Sequence, residues 1–237
     1  MSSDGIAYRL LQTTRKIFII LFVGQLIYII ILRWVDPPIT VTQLSSLLQG
    51  NGLKRDYISK EKISPYAALS VMAAEDQLFP EHTGFDLKSI KKAFENNRKK
   101  RSRIKGASTI TQQVAKNVFL WQGRSWIRKG LEAYFTFMIE VIWSKERILE
   151  MYLNVAEMGK GVFGIEAASQ KYFKKPAKRM TKTEAATIAA CLPNPKKYKV
   201  NPISAYVGRR QVWILRQMNN LENDPDIERL LKSFYKK

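Results

Sequence analysis

Gly106-Ala107-Ser108-Thr109-Ile110-Thr111-Gln112-Gln113-Val114-Ala115-Lys116-Asn117 crowds small, hydroxyl and amide side chains ahead of an apolar helical repeat. Ile110, Val114 and Val118 are four residues apart, the spacing of one helix face, so a helix begins here. The polar residues at its head pack poorly in a core and are well suited to gripping a polar ligand. Upstream lies Glu75-Asp76, with Phe79 and His82 at fixed offsets; downstream lies Arg128-Lys129, followed by Glu132. Two well-separated carboxylates with cations between them point to chemistry on a sugar that carries a phosphate leaving group.

Helical spacing runs through the rest of the chain. Ser64-Pro65 offers an N-cap and a proline at the first helical position, before Tyr66, Leu69, Met72 and Ala73, and that helix carries Glu75 near its end. Asp86 is a second N-cap, ahead of Leu87, Ile90 and Phe94. Residues 125–143 read as a long helix, apolar over most of its circumference, which predicts a central position. Ser144 caps a helix through Ile148, Leu149 and Tyr152. Gly159, Gly161 and Gly164 break the pattern, a helix then runs to about Phe173, and Thr181 and Glu184 form a capping-box signature before Cys191. After a loop with Pro193, Pro195 and Pro202, apolar positions recur at Val212, Leu215 and Met218, then at Ile227, Leu230, Leu231 and Phe234. There is no run of alternating strands and no internal repeat, so the expected fold class is all-α.

The 237 residues have room for one membrane anchor and one domain of ordinary size, and 46% hydrophobic residues permit a sizeable core. Forty Lys plus Arg against twenty Asp plus Glu give a formal charge of +20, which favours an anionic partner: nucleic acid, a lipid surface or a phosphorylated substrate. The basic run Arg98, Lys99, Lys100, Arg101, Arg103, Lys105 has no aromatic residue interleaved for base stacking. A loop facing anionic lipid suits it better than nucleic acid, each basic residue near such a surface contributing about 1 kcal/mol. The single Cys191 cannot form an intramolecular disulfide, and the single His82 argues against a His-based zinc centre.

Residues 17–35 form the expected anchor: residues 17–32 are uninterrupted by charge, Arg33 can snorkel to the interface, and Trp34 suits the headgroup belt. A cleaved signal peptide competes, but it would have a shorter apolar region and small residues at a cleavage site, where Asp36-Pro37-Pro38 stands instead. Arg9, Arg15 and Lys16 precede the span, which predicts a cytoplasmic N-terminus and a catalytic portion outside. The expected division is a tail at 1–16, the anchor at 17–35, a linker or membrane-proximal segment at 36–63, and a catalytic domain at 64–237.

The sequence Glu75-Asp76-Gln77-Leu78-Phe79-Pro80-Glu81-His82-Thr83-Gly84-Phe85-Asp86 fits E-D-x-x-F-x-x-H-x-G-x-D and resembles the first signature of the peptidoglycan glycosyltransferases, glycosyltransferase family 51. Residues 106–116 resemble that family's G-G-S-T-[IL]-T-Q-Q-x-x-K segment, with Ala107 in place of the second glycine. Arg128-Lys129-Gly130-Leu131-Glu132 matches R-K-x-x-E, and residues 147–154 and 189–195 resemble the later signatures. Five ordered blocks cover residues 64–202.

This resemblance implies a lysozyme-like α-helical fold with two lobes around a groove, in the monofunctional form, on the bacterial inner membrane. No transpeptidase domain is expected: Ser59-x-x-Lys62 and Ser89-x-x-Lys92 fit S-x-x-K, but Lys182-Thr183 is followed by Glu184, not glycine. The implied substrates are lipid II and the growing glycan chain, and other cell-wall synthesis or division proteins are the implied partners; nucleic acid is not. By resemblance Glu75 is the base that deprotonates an acceptor sugar hydroxyl, a step worth about 10²–10⁴-fold in rate. Lys116, Arg128 and Lys129 hold the donor pyrophosphate, which leaves as a stable anion and needs cations more than it needs an acid. Glu132 orients those cations or helps bind a divalent ion, Mg or Mn, bridging the phosphates. Ser108, Thr109, Gln112, Gln113, Asp76 and Asn154 are the remaining expected substrate contacts, with helix capping as the alternative for several. His82 is expected to satisfy a buried backbone group, and the glycines at 159, 161 and 164 to shape the groove.

Two other readings stay in view. A membrane-anchored lysozyme-like hydrolase needs a protonated acid and has little use for three clustered cations. A tethered protein that merely binds anionic polymer leaves the ordered carboxylate and amide motifs without a purpose.

Overall fold

Helix α1 (Ser3–Ile31) opens the chain, and its stretch Tyr8–Ile31 is 24 residues long with a mean hydropathy of 1.9. At 1.5 Å per residue it is about 36 Å long, enough to cross a hydrocarbon core of about 30 Å. The helix starts earlier than the apolar run predicts and ends at Ile31, where the amides of Arg33 and Trp34 turn back to Ile30 and Ile31. The structure is a computed structural model and describes residues 3–91, 95, 108–123 and 125–236, with side chains from residue 8 onward. The basic run at 98–105, Phe94, Gly106 and Ala107 lie outside the described residues. Residues 1–37 and 38–237 are separate compact units.

The second unit begins sooner than expected. Segment 36–63, read from sequence as a linker or membrane-proximal piece, carries helix α2 (Val41–Leu48) and the short strand β1 (Lys54–Arg55). Thr40 and Gln43 form a capping box at the head of α2, a polar pattern that hides a helix start inside an unpromising stretch. Gln43 is fully buried and its Oε1 accepts hydrogen bonds from Thr40 N and the Tyr57 hydroxyl.

Ser64 caps α3 (Pro65–Glu75), with Pro65 at its first turn, as the sequence predicts. Ala67, Ala68 and Ala73 of α3 are buried, as are Ala185, Ala186, Ala189 and Ala190 of α8 (Lys182–Cys191). Small side chains on both helices let their backbones approach, and α9 (Ala205–Leu221) packs on both to complete one group. A second group joins α4 (Ile110–Phe119) to α5 (Trp126–Ile142), α6 (Lys145–Val155) and α2. Glu75 ends α3 in the first group, and Gln113 and Lys116 lie on α4 in the second.

The long helix α5 is not central. Only Glu132, Thr136 and Ile139 are buried, while Trp126 is 92% exposed and Ile127, Phe137 and Val141 also face outward. An apolar circumference reports only a dislike of water, and cannot tell a protein core from any other apolar surrounding.

The all-α expectation meets one small sheet of order β1-β3-β2, with β2 (Glu157–Gly159) antiparallel to β3 (Val162–Phe163) and β1 parallel to it. Strands of two or three residues are too short for an alternating pattern to show in the sequence. Gly161, at φ +67°, turns this hairpin, and a side chain there would collide with the Asn51 carbonyl. Helix α7 (Ile165–Phe173) follows the hairpin, and α10 (Pro225–Tyr235) closes the chain by burying Ile227, Leu230 and Phe234.

Candidate active site

Glu75 is the last residue of α3, delivered by an apolar helix face to the boundary with α4. Its Oε2 accepts a hydrogen bond of 2.9 Å from Gln113 Nε2, and its Oε1 lies 3.6 Å from Arg210 Nη2 of α9. The Tyr152 hydroxyl of α6 donates to Gln113 Oε1 at 3.3 Å, which fixes the amide with its nitrogen toward the carboxylate. Burial pushes the Glu75 carboxyl above its ordinary range; the Gln113 hydrogen bond and the charges of Arg210 and Lys116 oppose it. A carboxylate so balanced is suited to take a proton near neutral pH.

Lys116 follows Gln113 by three residues, so one face of α4 presents both. Burial holds the Lys116 ammonium below its usual range; Glu132 and Glu75 raise it, and Arg128 and Lys129 lower it further. Lys116 therefore feels the charges of both Glu75 and the cluster at the start of α5, and all five groups share one electrostatic neighbourhood. Ser125 caps α5 by accepting from Arg128 N, which starts the helix so that Arg128 and Glu132 stack one turn apart. Arg128 Nη1 reaches Glu132 Oε2 at 2.6 Å, and Lys129 pairs with the other oxygen of the same carboxylate, which is buried. The Nε of Arg128 is buried without a hydrogen-bond partner among the described residues, as is that of Arg210. A guanidinium held in this way still has donors to offer an anion.

Several expected contacts are occupied instead by the fold. Asp76, 6% exposed, accepts from Ile110 N at 2.9 Å and pairs with His82 Nε2 at 2.9 Å. It anchors the head of α4 and is not open to a ligand. His82 Nδ1 accepts from Gly84 N, the backbone role expected for it. Thr109 is the N-cap of α4, donates to the Gly84 carbonyl at 2.7 Å, and forms a capping box with Gln112. Both Thr109 and Gln112 are buried, so capping is what these two residues do. Asn154 is fully buried and spends both ends of its amide on Ile58, accepting from its N–H and donating to its carbonyl. It braces the 58 segment and does not join the carboxylate–cation group. Of the polar residues at the head of α4, Ser108 is exposed and Gln113 faces Glu75.

A divalent ion would meet in Glu132 a carboxylate whose two oxygens are already engaged by Arg128 and Lys129. Among the described residues no group of three His, Cys, Asp or Glu side chains could hold a metal by themselves, so an ion here would draw most of its ligands from substrate phosphates and water.

Sequence reasoning missed Arg210, and saw in Tyr152 only a helix face. Arg210 lies three residues after Val207 and four before Ile214, both buried, so it is a charge on an apolar stripe. That misplaced charge is the signal that could have found it. Its Nη2 also donates to the Ala74 carbonyl at 3.3 Å, and its guanidinium lies 5.9 Å from the Trp213 ring centroid.

Comparison with known proteins is consistent with this geometry. The family described as Transglycosylase matches residues 41–219. A curated protein named Biosynthetic peptidoglycan transglycosylase from Escherichia coli (strain K12 / DH10B) is 58% identical over 186 residues, covering 77% of this chain and 77% of the relative. One of the same name from Shigella boydii serotype 4 (strain Sb227) has the same identity and coverage.

Proposed function

Because the chain belongs to the transglycosylase family, we propose that it polymerises lipid II into the linear glycan strands of peptidoglycan. The observation that carries the reading is the buried Arg128–Glu132 pair with Lys129, together with Lys116, which lies one turn from Gln113, the hydrogen-bond partner of Glu75, and is within electrostatic reach of Glu75 and of the cluster. A base and a cluster of cations within electrostatic reach of one another suit a sugar hydroxyl attacking a glycosyl pyrophosphate.

In this mechanism Glu75 takes the proton of the acceptor 4-hydroxyl as its oxygen attacks the anomeric carbon of the donor from the opposite face. An α-linked donor then gives a β-1,4 product with inversion. The bond to undecaprenyl pyrophosphate breaks, and Lys116, Arg128 and Lys129 stabilise the charge that develops on the departing oxygen. Glu132 keeps Arg128 and Lys129 in place and prevents the cations from repelling one another. Gln113, held by Tyr152, aims the base.

The apolar helix α1 anchors the protein in the cytoplasmic membrane, with its N-terminus inside and the catalytic domain outside, where the lipid-linked donor is polymerised. The outward apolar face of α5 supports a domain that works against lipid. Hydrolysis is the second reading, since a raised carboxyl pKa also suits a general acid. The cation cluster has no role in that chemistry, and this favours transfer. Incubating the purified protein with lipid-linked disaccharide separates the two: glycan chains support the proposal, and cleavage of preformed glycan without polymer sinks it.

A further inference from the structure

A cavity of about 290 Å³ opens among α2, β2 and the loop that follows α8. Thr42 and Ser45, Gln122, Glu157, and Asn194 with Lys196 stand on its walls; Glu75, Lys116, Arg128, Lys129 and Glu132 do not. It is joined to the site through α4. Thr42 donates to Asn117 Oδ1 at 3.4 Å, next to Lys116, and accepts from Gln122 Nε2 at 2.7 Å.

Three properties indicate what the cavity takes. First, its walls carry both charges, and these form only a long ion pair. Glu157 Oε1 accepts from Gly161 N at 3.1 Å, but Oε2 lies 4.0 Å from Lys196 Nζ, beyond hydrogen-bond reach, and receives no hydrogen bond among the described residues. Glu157 is the more enclosed, its side chain 12% exposed against 42% for Lys196, and burial pushes its carboxyl up. A carboxylate that has lost water and is paired only loosely, across 4.0 Å and without a hydrogen bond, can accept a closer cation. Second, the hydroxyl and amide groups of Ser45, Gln122 and Asn194 suit the N–H and C=O groups of a peptide. Third, no aromatic side chain among the described residues lines the cavity, so a sugar ring would find no face among them to stack on. The volume is at the small end for ligand pockets and matches a segment of one or two amino-acid residues.

We propose that this cavity binds the peptide branch of the glycan substrate, taking a segment in which a free ammonium meets Glu157 and a neighbouring carboxylate meets Lys196. The proposal rests on the reading of the protein as a peptidoglycan polymerase, whose substrate carries peptide. It adds a recognition point, separate from the base and the cation cluster, that helps hold the branched sugar in register while its hydroxyl or its pyrophosphate reacts.

The probe is a synthetic tripeptide whose last residue bears a side-chain ammonium and a free carboxylate, titrated into the full-length protein in detergent micelles. Its twin, acetylated on the amine and amidated on the carboxyl, is the control. The expected result is saturable binding at millimolar concentration, with amide shifts at Thr42, Gln122 and Lys196, and at least tenfold weaker binding of the twin. Glu157→Gln keeps an acceptor for Gly161, and Lys196→Met keeps the exposed stem; each is expected to weaken tripeptide binding about tenfold with an unchanged melting temperature. Equal binding of tripeptide and twin, no binding up to the solubility limit, or indifference to both substitutions overturns the proposal.

A turnover arm compares lipid-linked disaccharide with and without its peptide. Glu157→Gln is expected to raise KM about tenfold for the peptide-bearing substrate alone, and equal slowing of both substrates also overturns the proposal. If the unaltered protein polymerises neither, the polymerase reading fails, and the tripeptide titration still decides whether the cavity is a zwitterion site.

Discussion

Gln113 donates to Glu75 at 2.9 Å and accepts the Tyr152 hydroxyl at 3.3 Å, so a single amide links the proposed base to the interior of α6. Tyr152 is fully enclosed, and burial holds its phenol far above the ordinary value, so it acts as a donor throughout the accessible pH range. Removing Gln113 frees Glu75 to swing and takes away a hydrogen bond that favours its charged form. Gln113→Ala is therefore expected to lower kcat on the order of 10–100-fold, the cost of a misaimed catalytic group. The acid limb of the rate profile moves to higher pH, because the base ionises later. Tyr152→Phe loses only the outer hydrogen bond, worth about 0.5–1.5 kcal/mol, and should move both quantities less. A pH profile of kcat/KM for the three proteins checks this, and an unmoved acid limb in Gln113→Ala would contradict it.

Glu75 should also cost stability. Its folded pKa is raised above the unfolded value by burial, so the folded protein holds the proton more tightly than the unfolded chain does. No penalty exists below the unfolded carboxyl pKa, where both states are protonated; stability is lost as pH rises through the folded pKa. Glu75→Gln removes the ionisation and keeps an acceptor for Gln113. Turnover should disappear, by at least the about 10²–10⁴-fold owed to proton transfer. The variant should melt higher than the parent at pH 7, by about 2–4 °C for each kcal/mol relieved. That advantage should shrink toward zero at pH 4. Melting curves across this range test the sign, and an advantage that grows on acidification would refute the assignment of a buried, desolvated base.

Arg128 and Glu132 are a buried pair, with side chains 11% and 4% exposed, whereas Lys129 at 45% is largely in water. Breaking a buried pair costs about 3–5 kcal/mol, chiefly because a charge is left stranded. Arg128→Met strands Glu132 beside an incomplete partner in Lys129, and is expected to lower stability and raise the donor KM at least tenfold. Replacing both residues, Arg128→Met with Glu132→Leu, should recover most of the stability and none of the donor binding. Lys129→Met should leave the melting temperature within about 4 °C, since Glu132 keeps Arg128 and a half-exposed lysine contributes at most about 1 kcal/mol. Chemical melts beside donor titrations separate the two roles; recovery of donor use in the double variant would remove Arg128 from the pyrophosphate subsite.

The contrast between Thr109 and Gln113 shows what a sequence can reveal about this site. Both stand in the same polar run, and residue type marks each equally well as a ligand contact. The three-dimensional difference is one of position along the helix, cap against interior. Thr109 is the cap, turned inward to the Gly84 carbonyl, while Gln113 is one turn later on the face toward Glu75. Asp76 poses the same problem in a sharper form: it neighbours Glu75 in the chain, yet the end of α3 turns it the other way, onto the amide of Ile110. Residue order identified the caps at Ser64, Ser144 and Thr181, because these depend on local spacing, and it singled out Glu75 and the cations as candidates. It missed Arg210, which arrives from more than a hundred residues away, and the folded state of segment 36–63, whose burial depends on α4. It also misjudged α5, since periodicity ranks faces by polarity and is silent about what covers them.

That outward face of α5 gives the last prediction. Trp126, Ile127, Phe137 and Val141 are each more than half exposed, and no described helix covers them. If they rest against the membrane from which the donor comes, polar residues there should hinder capture of a long-chain lipid donor without touching the chemistry. Trp126→Ser combined with Phe137→Ser is expected to lower kcat/KM about tenfold for the full-length lipid donor presented in vesicles. With a short-chain, water-soluble donor analogue the same protein should work at the parental rate. Neither side chain is in the core, so the melting temperature should hold or rise. Equal losses on both donors would mean that the substitutions disturb the Arg128–Glu132 end of α5, and the apolar face would then need a different explanation from lipid.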